Sequence, residues 1–438
     1  MGALIGIRRE DKSIWERRVP VVPRDVHKMK QQHDIEVLVQ PSEIRAFSDE
    51  EFVLAGATVL EDLSPCPVVF AIKEIPDHAL QPGKAYVFFG HVIKGQPHNM
   101  PMLRRMLELG CTLIDYEKVT DEDGRRLIFF GRQAGWAGMV DTLWAFGQRL
   151  RWEGILNPFQ ALRPMPAYGG LAQAKAALEV VGERIRTESL PTTVTPLIIG
   201  VAGYGNVSGG VQQILDMLPI TEIDPADVVA VAQDAEASRY HIYKVIFKEE
   251  HLVEPISPDA QFELQDYYDH PEKYRGVFAR YLPYLSVLVN AIYWAPQYPR
   301  LVSKADLQEL FAGQETPRLR VIGDISCDIE GAIEATVRST DPGSPIYVYH
   351  PDTGDTTDGY EGQGPVILAV DILPSELPRE SSSDFSQVLR EFIPVIAQAD
   401  FSADFDALEL PPPIKRAVIA HKGELTPDYR YIGTLVDW

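Results

Sequence analysis

The chain has 438 residues, of which 45% are hydrophobic and 24% are charged, and its formal net charge is −22 at pH 7. This composition is typical of a globular protein of two or three domains and excludes a disordered chain. The negative charge argues against nonspecific binding to nucleic acid or to an anionic membrane surface.

Targeting and redox signals are weak throughout the sequence. No apolar run approaches the ~20 residues of a membrane-spanning helix, and Met1 leads into a strand-like stretch instead of a signal peptide. Cys66, Cys111 and Cys327 are scattered, and the ten histidines show no paired spacing. These features predict no metal site and a reducing compartment, the cytoplasm, with the mitochondrial matrix as the alternative for a eukaryotic source.

The first part of the chain alternates apolar strand-like runs with helical segments. The predicted strands are Ala3–Arg8, Ile35–Gln40, Val68–Lys73, Tyr86–His91 and Cys111–Glu117. The predicted helices are Pro23–Gln32, a segment closing at Phe52–Ala55, and Pro101–Leu109. This alternation indicates a parallel sheet with helices on its faces.

The next segment joins this region to the middle of the chain. We expect a short strand at Leu127–Phe130 and a long helix from Ala134 to about Arg151 that connects two domains. Pro158–Tyr168 is rich in proline and predicts a loop, and Ala172–Ile185 has helical spacing.

A glycine-containing turn follows the apolar run Leu197–Ala202. Gly203 and Gly205 come directly after this predicted strand, and helical spacing then continues to Pro219. Strand, glycine turn and helix form the context of a dinucleotide-binding fingerprint, in which the pyrophosphate lies at the helix N-terminus. The third glycine position holds a serine, and an ordinary strand-to-helix turn is the alternative. The predicted cofactor-binding residues of this turn are Gly203, Tyr204, Gly205, Asn206, Val207 and Ser208.

Asp224 ends the next predicted strand, Ile220–Ile223. An acidic residue about 20 positions after the glycines commonly binds the ribose hydroxyls of NAD. Asp224 is equally well placed to cap a helix that begins at Pro225, and both interpretations stay open. The following segment, Ala226–Phe247, is predicted to be mostly helical.

The remainder of the chain repeats the α/β pattern. Strands are predicted at Leu285–Ala291, Arg318–Asp324 and Val366–Val370, a polar linker at Ser381–Ser383 and a helix at Phe385–Ala397. Leu408–Arg416 and the tail to Trp438 are expected to return to the first domain. The predicted fold is therefore α/β, with two Rossmann-like parallel-sheet domains separated by a cleft. We expect a substrate and catalytic domain at 1–140 plus 385–438 and a dinucleotide-binding domain at 141–384.

Ionisable residues stand at the ends of two strong strands. Lys73 and Glu74 follow one strand, and His91 ends the next. Ligands of parallel sheets bind at the carboxyl ends of strands, so neighbouring strands would bring these groups together as an acid–base pair. A lysine beside an apolar wall loses hydration, which lowers its pKa, while an adjacent glutamate opposes that shift. Solvated strand-end residues are the alternative.

Further charged residues are candidates for ligand binding. The doubled arginines Arg17-Arg18 and Arg125-Arg126 suit bidentate binding of carboxylates, and solvated surface charge is the alternative. Glu117 ends a strand and could hold a substrate ammonium group. After strands of the second domain come aspartates that could face a nicotinamide or cap loops: Asp324, Asp328 and Asp371.

With these residues assembled, the chain resembles the lysine-forming saccharopine dehydrogenases of the alanine dehydrogenase and transhydrogenase superfamily. It looks most like the lysine-ketoglutarate reductase half of bifunctional aminoadipic semialdehyde synthases. The motifs that carry the resemblance are Arg8–Asp11, Trp15–Arg18, Ile72–Pro76, Phe88–Lys94, Leu113–Lys118, Gly135–Gly138, Gly203–Ser208, Asn290–Trp294, Asp324–Asp328 and Asp371–Pro378.

The resemblance implies a reductive condensation of L-lysine with 2-oxoglutarate to saccharopine, in lysine degradation. It places the acid–base pair on Lys73 and His91 and modulating carboxylates on Glu74 and Glu117. Further roles implied by the resemblance fall on the substrate-binding Arg18, Arg126 and Lys94 and on the cofactor-side Asp371.

Cofactor and partners are also implied by the resemblance. Relatives of the reductase half commonly use NADPH, so NADP is expected, with NAD as the alternative. A homo-oligomer is one expectation. The bifunctional proteins carry a second, saccharopine-cleaving domain; no such domain is expected here, and a separate dehydrogenase is expected to consume the product. The competing functions are an opine-type or alanine-type dehydrogenase and a catalytically silent nucleotide-sensing relative.

Overall fold

The computed structural model of the chain describes residues 2–312 and 316–435. It comprises two units: unit 1 contains the residues up to Phe130 and those from Pro378 onwards, and unit 2 contains Gly131–Leu377. The boundaries between the units fall at 130/131 and 377/378, whereas the sequence analysis expected the domain boundaries at 140/141 and 384/385. The long helix expected to connect two domains begins at Gly131 and lies wholly within unit 2.

Unit 1 begins with alternating strands and helices. Its first elements are β1 (Leu4–Ile7), α1 (Pro23–His33), β2 (Glu36–Val39), α2 (Asp49–Leu54), β3 (Thr58–Val59), β4 (Val68–Phe70), β5 (Ala85–Phe88), α3 (Met100–Glu108) and β6 (Thr112–Asp115). Local sequence explains several boundaries. Proline occupies the first position of α1, where no backbone N–H is needed. Ser48 and Glu51 form a capping box at the start of α2. The predicted strand at Leu127–Phe130 is absent, because this segment forms no ladder.

Unit 2 continues the alternation. Its helices are α4 (Gly131–Trp152), α5 (Leu171–Glu188), α6 (Asn206–Leu215), α7 (Val228–Gln233), α8 (Glu249–Leu252), α9 (Leu264–Asp269) and α10 (Lys304–Ala312). Its strands are β7 (Ile198–Ala202), β8 (Ile220–Ile223), β9 (Ile242–Phe247), β10 (Val253–Pro255), β11 (Tyr274–Gly276), β12 (Val287–Asn290), β13 (Val321–Asp324), β14 (Ile346–Tyr349), β15 (Thr356–Asp358) and β16 (Val366–Leu368). The predicted helix Ala226–Phe247 is wrong over most of its length, because α7 ends at Gln233, residues 234–241 are not helical and β9 occupies the last six residues.

The C-terminal segment completes unit 1, as expected. It contains α11 (Pro378–Leu389), α12 (Ile393–Gln398), α13 (Pro412–Arg416), β17 (Val418–His421) and β18 (Glu424–Leu425). The predicted linker Ser381–Ser383 is wrong, since it lies within α11. Ser381 and Ser382 are buried within this helix, and Ser382 Oγ accepts from Val19 N at 2.9 Å. The end of the tail, to Trp438, lies outside the described residues.

Each unit has an eight-stranded sheet. The order in unit 1 is β18-β17-β6-β5-β4-β1-β2-β3, and it is parallel from β6 to β3. The order in unit 2 is β15-β14-β16-β13-β12-β7-β9-β8, with an antiparallel edge at β14 and β15. These sheets confirm the predicted α/β class.

Both faces of the unit 2 sheet are covered. Ile199 and Val201 pack with α4, α5 and α6 on one side, and Ile198 and Ala202 pack into a second cluster on the other. Burial on both faces explains why β7 reads as a continuous apolar run. Within the described ranges, no helix combines the length and apolarity needed to cross a bilayer.

Candidate active site

Lys73 and His91 lie just beyond the carboxyl ends of the neighbouring parallel strands β4 and β5. The two backbones remain paired beyond the ends of the strands, since Phe89 N donates to Ile72 O at 3.0 Å. His91 has a positive φ of 47°, a conformation that costs a non-glycine residue about 1–3 kcal/mol and is enriched at functional sites. Lys73 and His91 therefore lie at the same end of the unit 1 sheet, where the carboxyl ends of its parallel strands meet.

Glu74 orients the His91 ring. Its Oε1 lies 2.7 Å from His91 Nδ1, its Oε2 accepts from Lys12 Nζ at 2.7 Å, and Asn99 Nδ2 lies 3.4 Å from Oε1. Burial opposes ionisation of Glu74, but the hydrogen bonds from His91 and Lys12 outweigh it and lower its pKa well below the usual range. An ionised Glu74 engages Nδ1 and leaves Nε2 as the ring nitrogen for proton transfer.

Lys73 is half-buried beside this pair. Burial, followed by the positive charge of Arg18, lowers the pKa of Lys73, while Glu16 and Glu74 oppose the shift. The direction agrees with the expectation for a lysine against an apolar wall. A lowered pKa makes the neutral amine, the form that accepts a proton, more accessible near neutral pH.

Glu10 fixes the backbone that carries Lys73. Its buried carboxylate accepts from Ile72 N at 2.7 Å and from Lys73 N at 3.0 Å. Burial and the nearby Glu16 raise the pKa of Glu10 to about 7. Its position within the motif Arg8–Asp11 was the available sequence signal, but only the fold shows that its carboxylate reaches the end of β4.

Arg18 is held in a buried ion pair with Glu16. Arg18 Nε lies 2.7 Å from Glu16 Oε1 and Nη2 lies 2.5 Å from Oε2. The guanidinium also stacks on Phe130, 4.4 Å from the ring centroid. Glu16 thus occupies two of the guanidinium nitrogens, which leaves Nη1 outside this ion pair.

The other predicted substrate-binding residues lie after β6 and β5. Arg126 is half-exposed and pairs with Glu117, whose side chain is only 11% exposed. Glu117 N donates to the buried Asp115, and burial raises the pKa of that aspartate. Lys94 is exposed in the loop after His91.

The glycine turn of unit 2 fits a pyrophosphate. Gly203 has a φ of 102°, and a Cβ there would lie 2.7 Å from Ala291 O. Gly205 directly precedes α6, and a Cβ at this position would meet open space. The turn therefore needs glycine at its first position and leaves the helix N-terminus open at its second.

The rest of the fingerprint packs into unit 2. Asn206 and Val207 begin α6, and Ser208 is buried, with its Oγ accepting from Gln212 Nε2 at 3.1 Å. Tyr204 is half-exposed on the turn. Ser208 is thus small enough for the packed position where the fingerprint has its third glycine.

A cleft of about 390 Å³ opens beside the glycine turn. It is bordered by the backbone beyond β7, β9 and β12, and aromatic side chains line much of it. These residues include Gly203, Gly205, Glu249, Tyr267, Tyr268, Tyr293 and Tyr298. Glu249 was absent from the sequence predictions because it lies beyond the predicted helix Ala226–Phe247, in a stretch to which no element was assigned.

The three predicted cofactor-side aspartates have different surroundings. Asp224 ends the edge strand β8, and its Oδ1 accepts from Ala226 N at 2.9 Å, as a cap. Asp324 is buried at the end of β13, where its oxygens bond other protein groups, including Asn290 Nδ2 at 2.8 Å. Burial raises the pKa of Asp324 to about 6. Asp371 is exposed beyond β16. The structure does not bring Asp224 to the glycine turn.

Comparisons with known proteins agree with this architecture. Residues 6–137 match the family described as alanine dehydrogenase/PNT, N-terminal domain. The alpha-aminoadipic semialdehyde synthase of Arabidopsis thaliana is 37% identical over 98% of this chain, but the chain spans only 41% of that relative. The L-lysine-forming, NAD(+) saccharopine dehydrogenase of Emericella nidulans is 26% identical, over 81% of this chain and 82% of the relative.

A solved structure shares the fold. An L-alanine dehydrogenase covers 99% of this chain and 100% of its own, with a TM-score of 0.62 and 15% identity. The expected resemblance is confirmed: residues 6–137 match the alanine dehydrogenase/PNT N-terminal domain, and the chain is similar over nearly its full length to part of the alpha-aminoadipic semialdehyde synthases.

Proposed function

We propose that this chain is a nicotinamide-dependent oxidoreductase that condenses L-lysine with 2-oxoglutarate and reduces the product to saccharopine, in lysine degradation. The observation that carries the proposal is the Glu74–His91 contact of 2.7 Å beside Lys73, whose pKa is lowered, at the ends of adjacent strands. The names of the saccharopine dehydrogenase and semialdehyde synthase relatives support the choice of substrates.

Lys73 and His91 would divide the proton transfers. The ε-ammonium of the substrate must lose a proton before its nitrogen attacks the ketone carbon, and neutral Lys73 accepts that proton. The resulting carbinolamine loses its hydroxyl as water when His91 donates a proton from Nε2. A hydride added to the imine carbon then gives the secondary amine, which takes up a proton to become the ammonium group of the product, so the reaction overall consumes one hydride and one proton.

The oxo acid carries two carboxylates that need cationic partners. Arg126 is half-exposed and Lys94 is exposed, so both cations are accessible to an anionic ligand. Arg18 is buried but keeps Nη1 outside its pair with Glu16. We assign carboxylate binding to these three residues and ammonium binding to Glu117.

Unit 2 would hold the nicotinamide cofactor. Gly203 and Gly205 would admit the pyrophosphate, and the N-terminus of α6 would stabilise its negative charge. The bound cofactor supplies the hydride. We assign Asp371 to the cofactor side because it follows β16 and is exposed.

An omission assay tests the proposed function. The purified chain is supplied with a reduced nicotinamide cofactor, lysine and 2-oxoglutarate, and absorbance at the reduced-cofactor band is followed. We expect oxidation only when both substrates are present, with saccharopine identified by mass spectrometry. Oxidation with pyruvate and ammonia, but not with lysine and 2-oxoglutarate, would instead identify an alanine-type dehydrogenase. Cofactor binding without any turnover would favour a sensor.

A further inference from the structure

The C-terminal segment of unit 1 lies against the loop that follows His91. Its last described element is a 3₁₀ helix at Pro427–Thr434. Residues three positions apart share one face of such a helix, and Tyr429 and Ile432 are both buried in the core of unit 1. Tyr431 lies between them in sequence and is half-exposed. The core residues therefore anchor the helix, while Tyr431 contacts the surface loop.

Two contacts join this helix to the loop. Tyr431 Oη donates to Ile93 O at 2.9 Å. Leu435, directly after the helix, lies against Gly95, where a Cβ would come within 3.0 Å of the Leu435 Cβ. These contacts fall on the residues immediately before and after Lys94. The C-terminal segment therefore holds the backbone on both sides of this lysine.

Lys94 is exposed within a turn of the loop. Gly95 has a φ of 65°, and its N–H donates to Val92 O at 3.0 Å, so the backbone reverses direction around Lys94. A lysine ammonium is carried on a flexible four-carbon stem, and its position depends on the backbone below it. A backbone that is already ordered loses less entropy when the ammonium binds a ligand. Contacts to the flanking residues therefore bear on ligand binding by Lys94.

Tyr431 also lies near another of the proposed substrate-binding residues. Burial, followed by the negative charge of Glu117, raises the pKa of Tyr431. A charge acts in this way only when the two groups lie near each other, and the shift keeps the phenol protonated as a hydrogen-bond donor. Glu117 itself pairs with Arg126. Tyr431 is thus placed among the residues assigned to the two substrates.

We propose that Tyr431 is a positioning residue that holds Lys94 in place for a carboxylate of 2-oxoglutarate. Its hydroxyl fixes the carbonyl of Ile93, and the loop then presents the lysine ammonium in a preformed position. Without this hydrogen bond, the loop must become ordered when the oxo acid binds, which weakens binding. The inference rests on the proposed function, because the assignment of Lys94 to the oxo acid belongs to it.

Two tyrosines of the same helix provide a matched pair of variants. Tyr431→Phe removes the hydroxyl and keeps the ring. Tyr429→Phe is the control, because the Tyr429 hydroxyl donates to Arg416 O at 2.7 Å, outside the loop. We expect Tyr431→Phe to raise the KM for 2-oxoglutarate roughly fivefold, the range of one hydrogen bond, with kcat and the KM for lysine within about twofold. Tyr429→Phe should change none of the three.

Removal of the lysine side chain distinguishes positioning from direct contact with the substrate. If Tyr431 acts through Lys94, Tyr431→Phe should raise the KM for 2-oxoglutarate no further in a chain that already carries Lys94→Ala. Additive effects of the two substitutions would overturn the inference, because Tyr431 would then act independently of Lys94. An equal rise of KM in Tyr429→Phe would overturn it as well.

Hydrogen–deuterium exchange measures the loop contact without turnover. We expect the amides of residues 92–96 to exchange faster in Tyr431→Phe and at the unmodified rate in Tyr429→Phe, while exchange in the unit 1 sheet reports that both variants are folded. Unchanged loop exchange in Tyr431→Phe would overturn the inference whatever substrates the chain uses. Absence of turnover by the unmodified protein would instead overturn the proposed function, and the role of Lys94 toward 2-oxoglutarate would fall with it.

Discussion

Arg125 and Arg126 are neighbours in sequence but differ in surroundings. Arg125 is an exposed turn residue that pairs with Asp123, whereas Arg126 pairs with Glu117, whose side chain is nearly buried. An arginine held at a partly buried carboxylate is positioned, while one on a solvated turn gains little from its ion pair. The site assignment therefore distinguishes two residues that the sequence presents as equivalent.

We expect Arg126→Gln to raise the KM for 2-oxoglutarate roughly tenfold or more, because a charged hydrogen bond to a substrate carboxylate is lost. The KM for lysine should change less. Steady-state kinetics with each substrate varied in turn measures both values. Arg125→Gln is the matched control and should leave them unchanged. Equal effects of the two substitutions would exclude the carboxylate-binding role of Arg126.

A substitution of Arg18 would affect folding stability as well as substrate binding, because Arg18 belongs to a buried ion pair. Arg18→Ala would leave Glu16 buried without its partner, which costs about 3–5 kcal/mol of folding stability. We expect a lower midpoint in urea unfolding, and partial recovery of it in the double substitution Arg18→Ala/Glu16→Ala. If Arg18→Ala unfolded at the unmodified midpoint, the structural importance of the buried pair would be disproved.

At the scale of elements, the contact between α4 and α6 depends on glycine. A Cβ at Gly210 would lie 2.3 Å from Arg132 O, and one at Gly135 would lie 2.1 Å from Val207 O. These two helices can approach so closely only without side chains at the crossing. The same crossing supports the start of α6, where the glycine turn ends.

Adjacent glycines of α6 provide a matched pair for this contact. Gly210→Ala should destabilise the fold by about 1–3 kcal/mol, because the helices must move apart. Gly209→Ala faces open space and should stabilise it by up to ~1 kcal/mol, since alanine is the better helix former. Thermal unfolding of both variants measures the difference. Equal melting temperatures would show that the crossing tolerates a side chain.

The sequence predicted elements best where the apolar pattern was strong. β4, β5 and β7 are buried on both faces, and their continuous apolar runs were recognised. β9 was missed because its residues follow a short helix without a turn signal strong enough to separate the two. The strand order around β7 depends on long-range pairing that no local pattern encodes. That order places β8, and with it Asp224, one strand away from β7.

The candidate site in unit 1 was predictable in part for the same reason. Lys73 and His91 follow apolar runs in the sequence, so the apolar pattern alone predicted that they lie at the carboxyl ends of strands. The contribution of Glu10 did not, because its carboxylate reaches the end of β4 only after the sheet forms. Side-chain hydrogen bonds across the fold are not encoded by spacing along the chain.

At the scale of the whole molecule, both units contain buried carboxyl groups with raised pKa values. Burial and Glu16 raise the pKa of Glu10 to about 7 in unit 1. In unit 2, Glu376 lies beside Asp141, and burial together with that neighbour raises its pKa well above the usual value. Neither Glu376 oxygen has a protein hydrogen-bond donor, so a proton shared with Asp141 would satisfy the pair.

Because these buried carboxyl groups have raised pKa values, we expect the free energy of unfolding to fall as pH rises. A carboxyl group whose pKa is raised by folding contributes stability that is present below its unfolded pKa of about 4.5 and is lost as pH rises through the folded pKa. We expect the melting temperature to decrease between pH 5 and pH 8, and Glu376→Gln to flatten part of that decrease. The exposed Glu309→Gln is the control. A melting temperature that rises over this interval would contradict the assignment.

Lys73→Met tests the central claim most directly when turnover and cofactor binding are measured on the same preparation. We predict that kcat for lysine and 2-oxoglutarate falls by about 100-fold or more, the range of general acid–base catalysis, while the Kd for the reduced nicotinamide cofactor stays within a few-fold. Lys73→Arg should be as impaired, because arginine keeps the charge but does not release its proton. Lys28 is half-exposed, and Lys28→Met should keep the turnover of the unmodified protein. Comparable losses of kcat and of affinity for the reduced cofactor in Lys73→Met, or full activity in Lys73→Arg, would contradict the account.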